Sequence, residues 1–262
     1  MTFGISTSCF YPELTEKAAE WLAAARIPAA EVFFNAPSEL APAFLRKLRD
    51  TLDAGGTRVV SVHPFTSGLE PLLFFSEYRR RFEDGVEMYR RFFEAAAFLG
   101  ASYVVLHGDR KEGKLPREEY FARYRALDEA AREHGVRLVQ ENVGRCRGGS
   151  AEFLAAMRKA LPEALFVLDL KQARRAGEDP LALLRLLGKA VAHVHMSGCG
   201  PEGDCLPLHR GCFRPEEFLA ELKRQGFSGA AVMELYREGY GEYGELAESV
   251  RILEAAAKAL NA

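Results

Sequence analysis

Residues 137–144 read RLVQENVG, an apolar run typical of a buried β-strand that ends on two polar side chains, Glu141 and Asn142. A carboxylate at the end of a buried strand costs free energy unless another polar group or a cation pairs with it. Glu141 therefore predicts a cluster of partners, and the other strands of the chain are the places to look for them.

Apolar runs of this kind recur along the whole chain and alternate with segments whose apolar residues repeat with helical periodicity. One helical segment is AEFLAAMRKAL, for which Ser150 is the predicted N-cap residue. Apolar strands between amphipathic helices indicate a parallel sheet covered by helices. Eight such units in succession predict an α/β fold, a closed (β/α)8 TIM barrel that forms a single domain over residues 1–262. The predicted strands are 4–9, 29–35, 58–65, 103–109, 136–143, 165–170, 191–198 and 229–236.

The composition narrows the class of protein. Hydrophobic residues make up 48% of the 262 residues and charged residues 27%, which is enough for a large core. The formal net charge of −2 disfavours nucleic acid as a partner, and no apolar run reaches the length of about 18 residues that a membrane span needs. The five cysteines show no C-x-x-C spacing, and residues 1–13 lack the features of a signal peptide. These features predict a cytoplasmic protein.

Six successive predicted strands deliver a side chain that can bind a metal ion at or near their C-terminal ends. In a TIM barrel these ends converge on the active site. Each residue alone has an ordinary explanation, such as a buried hydrogen bond or a helix cap, but three carboxylates together would repel in a dry cavity. A divalent cation would remove that repulsion, so the set predicts a metal site. The six residues are His63, His107, Glu141, Asp169, His195 and Glu234.

The alternation of side chains along a strand supports this convergence. An aliphatic residue stands two positions before the polar one in several strands, as in Val139 before Glu141 and Val167 before Asp169. Such pairs indicate an aliphatic layer in the barrel interior below a polar layer. His193 shares a face with His195 and is predicted to lie one layer deeper, where it could orient the ligands.

Over essentially its whole length, the chain resembles the xylose-isomerase-like TIM barrels, a superfamily of sugar and sugar-phosphate isomerases and epimerases that includes endonuclease IV. The resemblance lies in the motifs VQENV, VLDL, HVHMSG and VMELY. It implies that Glu141, Asp169, His195 and Glu234 hold one divalent ion, which could be Mn²⁺, Mg²⁺, Co²⁺ or Zn²⁺.

Two further motifs resemble the endonuclease branch of the superfamily. His63 in SVHPF and His107 in VLHGD are similar to histidines that bind an additional zinc ion together with Glu141. Two positions depart from the family pattern: Gln172 in DLKQ and Cys205 in GDCLPLHRG stand where a histidine is usual. These departures disfavour a trinuclear zinc cluster and the cleavage of abasic sites in DNA.

Asp204 and His209 in the same loop are an alternative third metal site. Arg210 follows them and is a candidate for binding a phosphate or hydroxyl oxygen of the substrate, because arginine offers paired donors.

Three functions remain open from the sequence. The first is a metal-dependent isomerase or epimerase of a small sugar or sugar phosphate, in which Glu141 and Glu234 transfer a proton through a metal-stabilised enediolate. The second is a di-metal (zinc) phosphoesterase acting on a small phosphodiester or on DNA, of which the acidic net charge disfavours DNA. The third is a non-catalytic, metal-bound barrel that binds a small molecule, and a homo-oligomer is compatible with any of the three. Under the first hypothesis the substrate-binding residues are His63, His107, Gln172, His209 and Arg210.

Overall fold

A computed structural model describes residues 1–260 of the chain. Eight parallel strands form a closed barrel in chain order, with the last strand pairing with the first, so the predicted single-domain (β/α)8 barrel is confirmed. Each observed strand ends one to three residues before its predicted end, because the backbone turns there into the following loop. The barrel strands are β1 (Thr2–Ser6), β2 (Ala29–Phe33), β3 (Arg58–His63), β4 (Tyr103–Leu106), β5 (Arg137–Glu141), β6 (Leu165–Asp169), β7 (Val191–Met196) and β10 (Ala230–Met233).

Helices cover the outside of the barrel, and a short antiparallel hairpin of β8 (Gly198–Gly200) and β9 (Gly203–Leu206) follows β7. Ser150 is the N-cap residue of its helix, as predicted, and accepts a hydrogen bond from the backbone N–H of Phe153. No helix within residues 1–260 combines the length and the apolar character that a membrane crossing requires. The helices are α1 (Thr15–Ala24), α2 (Pro42–Gly55), α3 (Glu70–Leu73), α4 (Arg79–Leu99), α5 (Arg117–Glu133), α6 (Ala151–Ala160), α7 (Leu170–Ala176), α8 (Pro180–Leu187), α9 (Pro215–Arg224) and α10 (Gly244–Ala259).

The hydrophobic core has an outer and an inner part. Most buried apolar side chains lie between the strands and the helices. Two small aliphatic clusters fill the barrel interior, one from β2, β3 and β10 and the other from the consecutive strands β4 to β7. They form the aliphatic layer that the sequence predicted below the polar residues, and they close the floor of the barrel. The clusters consist of Ala29, Val60, Ala230 and Val232, and of Val105, Val139, Val167 and Ala192.

The contact between β1 and β2 leaves no room for a side chain at Gly4, since a Cβ there would lie 2.1 Å from the carbonyl oxygen of Ala29. We expect Gly4→Ala to lower the free energy of unfolding by roughly 1–3 kcal/mol, because the strands must move apart to relieve the clash. Urea denaturation measures the change. Gly68→Ala is the matched control, because a Cβ at Gly68 meets nothing within 4 Å. Equal stability of the two variants would contradict the expectation.

Candidate active site

A cavity of about 350 Å³ opens at the C-terminal end of the barrel strands. This is the end at which TIM barrels carry their sites, and the volume is that of a small-molecule pocket. Acidic, basic and aromatic side chains form its walls. They belong to Ser8, Tyr11, Phe33, Asn35, His63, Ser67, His107, Glu141, Arg145, Lys171, Gln172, Glu234, Tyr236, Arg237 and Glu238.

Four of the predicted metal ligands converge at the base of this cavity. One ligand atom from each of Glu141, Asp169, His195 and Glu234 lies within 4.8 Å of the others. The Nδ1 atom of His195 is 3.3 Å from Glu234 Oε2, 3.6 Å from Asp169 Oδ2 and 3.8 Å from Glu141 Oε1. We call these four residues the four-residue set. Their strands bring them together as alternation predicted, and β6 pairs with β7 so that Asp169 lies beside His195.

Glu31, on β2, fixes the ring of His195 from below. Its Oε2 atom lies 3.1 Å from His195 Nε2, 3.3 Å from His193 Nε2 and 2.8 Å from the hydroxyl of Ser61. Because a carboxylate only accepts, His195 donates its Nε2 proton to Glu31 and turns Nδ1 toward the three carboxylates of the four-residue set. Burial alone would raise the pKa of Glu31, but the attraction of His195 and His193 outweighs it and holds that pKa well below its usual range.

Lys171 also belongs to this cluster, and its ammonium is buried at 1% exposure. Its Nζ atom donates to Asp169 Oδ2 at 2.5 Å and to Glu234 Oε2 at 2.7 Å. These are the same two oxygens that face His195 Nδ1. Burial alone would lower the pKa of Lys171, but attraction by Asp169 and Glu234 outweighs it and raises that pKa well above its usual value. The lysine is therefore a fixed positive charge.

The position of Lys171 decides whether the four-residue set fits a divalent ion. An ion bound to both oxygens would lie within about 4 Å of the ammonium and be repelled by roughly 8 kcal/mol at an effective dielectric constant of about 20. The donor atoms have the chemistry and the spacing of a metal site, but two of the carboxylate oxygens already have a cation as partner. The set does not fit a divalent ion while the ammonium remains in place.

A second group of potential ligands consists of His63, His107 and Glu141, and we call it the three-residue set. The Nε2 atoms of the two histidines are 2.9 Å apart, and Glu141 Oε2 lies 3.0 Å from His107 Nε2 and 3.8 Å from His63 Nε2. His63 donates its Nδ1 proton to the carbonyl oxygen of Pro64, at 3.2 Å, which leaves a lone pair on Nε2 of the neutral ring.

The three-residue set fits a metal ion. Glu141 Oε2 is buried without a hydrogen-bond partner among residues 1–260, as is His107 Nδ1. The spacing of the three ligand atoms suits an ion about 2.0–2.2 Å from each, and two imidazoles with a carboxylate are a zinc-type donor set. Burial alone would raise the pKa of Glu141, but the attraction of His107 outweighs it and holds that pKa well below its usual range. The carboxylate is therefore ionised, as a ligand must be.

Two further side chains in the cavity wall are placed to contact a ligand. Gln172 accepts a hydrogen bond from the backbone N–H of Gly144 through Oε1, at 3.1 Å, which holds its side chain in the wall. Arg145 is exposed at the rim, and its guanidinium makes no hydrogen bond or ion pair with residues 1–260. It is the wall residue best suited to an anionic group.

Three predicted residues from the segment after β8, namely Asp204, His209 and Arg210, lie outside the cavity wall. His209 and Arg210 pair with Glu245 on α10, at 3.2 Å and 2.7 Å, so the last helix takes up their polar atoms. Asp204 pairs with Arg175 through two contacts of 2.6 Å and 2.9 Å. Neither Asp204 nor His209 joins a three-ligand group within residues 1–260, so the geometry offers no third metal site on them.

Glu70, on α3, is a buried carboxyl behind His107. It accepts hydrogen bonds from the backbone N–H of Gly108 and from the hydroxyl of Tyr89, yet burial raises the pKa of Glu70 from 4.5 to about 8. Between these values the folded chain binds a proton that the unfolded chain has lost. Stability is therefore expected to fall as pH rises from about 5 to 8, and to level off above.

Thermal unfolding of the wild type and of Glu70→Gln between pH 5 and pH 9 measures this effect. The variant keeps the shape of a protonated carboxyl, so its melting temperature should lose this part of the pH dependence. Parallel curves for the two proteins would exclude Glu70 as the source.

Comparison with known proteins places the chain in a family. The family model described as "Xylose isomerase-like TIM barrel" matches residues 19–259. The chain belongs to this family. A relative among curated proteins is the uncharacterized protein MJ1311 of Methanocaldococcus jannaschii, 25% identical over 252 residues that cover 89% of this chain and 83% of MJ1311.

Solved structures of the xylose isomerase-like TIM barrel family share the architecture. A D-tagatose 3-epimerase-like protein superposes with a TM-score of 0.82 and 22% identity, covering 100% of this chain and 98% of its own. D-psicose 3-epimerase from Clostridium cellulolyticum H10 superposes with a TM-score of 0.79 and 14% sequence identity, and 99% of each chain is covered. The probable 3-DHS dehydratase AsbF of Bacillus anthracis superposes with a TM-score of 0.74 and 15% sequence identity, covering 100% of this chain and 99% of AsbF. At these identities the likeness is one of fold.

Proposed function

We propose that the protein is an isomerase or epimerase of a small sugar or sugar phosphate that transfers a proton at the carbon next to a carbonyl group. One observation carries the proposal: Glu141 and Glu234 line the same cavity, and their facing oxygens lie within 4.8 Å of each other. Since β6 and β7 separate the strands that hold them, the two carboxylates reach a ligand from different sides.

Both glutamates are ionised, and in that state either of them can remove a proton from carbon. Burial alone would raise the pKa of Glu234, but attraction by Lys171 outweighs it and lowers that pKa, so the side chain is a carboxylate at neutral pH. A carboxylate of low pKa is a weak base, and it can remove a carbon-bound proton only if positive charge stabilises the resulting enediolate. Lys171 is the group in the wall that supplies this charge.

The remaining wall residues suit a substrate of this class. Gln172, His63 and His107 offer hydrogen bonds to hydroxyl groups, and Arg145 at the rim offers paired donors to a phosphate or carboxylate. An ion held by the three-residue set would supply Lewis acidity to a substrate oxygen in the same cavity. The similarity of the fold to a D-tagatose 3-epimerase-like protein and to D-psicose 3-epimerase supports a sugar as the substrate.

Solvent exchange tests the proposal without knowledge of the product. The protein is incubated in D₂O with ketoses, aldoses and their phosphates, and NMR follows deuterium at the carbon next to the carbonyl. We expect exchange with at least one substrate, and its loss in Glu141→Gln. Glu254→Gln, an exposed change on α10 that removes the same charge, is the control. No exchange with any compound, together with hydrolysis of a phosphodiester, would overturn the proposal.

A metal-dependent phosphoesterase is the second candidate, and the three-residue set is the observation that favours it. In that case an ion on His63, His107 and Glu141 would be essential. We expect His63→Ala to lower hydrolysis of bis-p-nitrophenyl phosphate by at least about a hundredfold and to remove the bound zinc. For an isomerase whose enediolate is stabilised by Lys171, the same change should be mild. Elemental analysis of protein purified without chelator gives the metal content of both forms.

A further inference from the structure

Lys171 is a buried charged residue that the pattern of polar strand ends does not single out. It is the second residue of α7, and Asp169 caps that helix by accepting a hydrogen bond from the backbone N–H of Gln172 at 2.8 Å. The lysine side chain turns back into the barrel and becomes almost fully buried. A buried lysine without a role in packing or pairing would be costly, so its partners indicate what it does.

The contacts of the ammonium coincide with those that a metal ion would need. Its hydrogen bonds go to Asp169 Oδ2 and Glu234 Oε2, the oxygens that also face His195 Nδ1. The centre of the Tyr236 ring lies 5.3 Å from Nζ. Two carboxylates and an aromatic face are the surroundings of a permanent cation.

We propose that the ammonium of Lys171 is the resident cation of the four-residue set and takes the place of a divalent metal there. The positive charge is covalently attached and holds Asp169 and Glu234 together without an ion from solution. It also places a hydrogen-bond donor in the wall of the cavity where an anionic oxygen of a substrate would need one.

The proposal predicts which residues any bound metal depends on. Metal should reach the three-residue set and not the four-residue set, so binding should require His63 and not Asp169. The probe is MnCl₂, titrated into the purified full chain and followed by electron paramagnetic resonance. We expect at most one Mn²⁺ per chain, kept in Asp169→Asn and lost in His63→Ala. An ion that is lost in Asp169→Asn and kept in His63→Ala would overturn the proposal.

A gain of binding is the complementary test. Lys171→Met removes the ammonium while keeping a long apolar chain, so the four-residue set should then take up one additional Mn²⁺, at least tenfold more tightly than the wild type does. Anomalous scattering from a crystal soaked in MnCl₂ should show this ion among Glu141, Asp169, His195 and Glu234. Lys159→Met, an exposed change on α6, is the matched control and should bind as the wild type does.

The outcomes separate this inference from the proposed function. Circular dichroism shows whether Lys171→Met folds. If the folded variant gains no Mn²⁺, the inference about Lys171 is overturned. If that variant does not fold, the Asp169 and His63 comparison decides alone. Both arms measure bound metal, so they stand even if no sugar substrate is found.

Discussion

Replacing Glu234 with glutamine is expected to lower turnover by at least about a thousandfold, because an amide cannot accept or return the proton. The change is nearly isosteric, and the side-chain oxygen can still accept a hydrogen bond from Lys171. The melting temperature should therefore stay within a few degrees of the wild-type value. Initial rates and deuterium exchange on the substrate identified in D₂O measure the effect.

The control for this variant is again Glu254→Gln, whose side chain lies on the exposed face of α10. It should retain wild-type turnover. If Glu234→Gln kept more than about a tenth of the activity, the proton would have to move through another group, and Glu234 would have no part in the transfer.

Replacing Glu31 with alanine is expected to destabilise the fold by about 3–5 kcal/mol, because it breaks a buried charged network by removing one partner. Glu31 accepts hydrogen bonds from Ser6 and Ser61 and contacts both His193 and His195. All five side chains are buried, so the four partners that lose the acceptor lie away from bulk solvent. Urea denaturation followed by circular dichroism gives the free energy of unfolding.

Glu31→Gln distinguishes the contribution of the negative charge of Glu31 from that of its size and shape. It retains an acceptor for the two serines but removes the anion that holds the proton of His195, so it should cost less stability than alanine does. Its turnover should nevertheless fall, since the ring of His195 loses its fixed orientation. A loss below about 1 kcal/mol for Glu31→Ala would show that the network contributes little to the fold.

The fold and the convergence of the strand-end residues could be predicted because both follow from periodicity. Alternation in β5 and β6 placed Glu141 and Asp169 above an aliphatic layer, and the layer is present. Helical periodicity placed α6 and its cap. The β8–β9 hairpin was not predicted, because its short strands carry no repeating pattern.

The site residues that the sequence did not predict are single charged residues, which belong to no repeating pattern. Lys171 lies beside Gln172 in DLKQ, but the sequence does not show that the first turn of α7 directs it inward. Glu31 is a lone charge in AAEVF, and that is a usable signal: a charge inside an apolar strand predicts a buried partner. Arg210 was assigned to the cavity from its loop, whereas Glu245, far along the chain, holds it elsewhere.

The strands and Glu31 hold the four-residue set, while α7 supplies the lysine that fills it. The backbone positions of the four ligands therefore do not depend on the lysine, whose charge holds two of the carboxylate oxygens together. Lysine and methionine codons can differ by one nucleotide, so a single mutation could give this barrel an additional requirement for metal, and the reverse mutation could remove it. Metal dependence is then a trait that closely related barrels can gain or lose as the supply of metal in their surroundings changes.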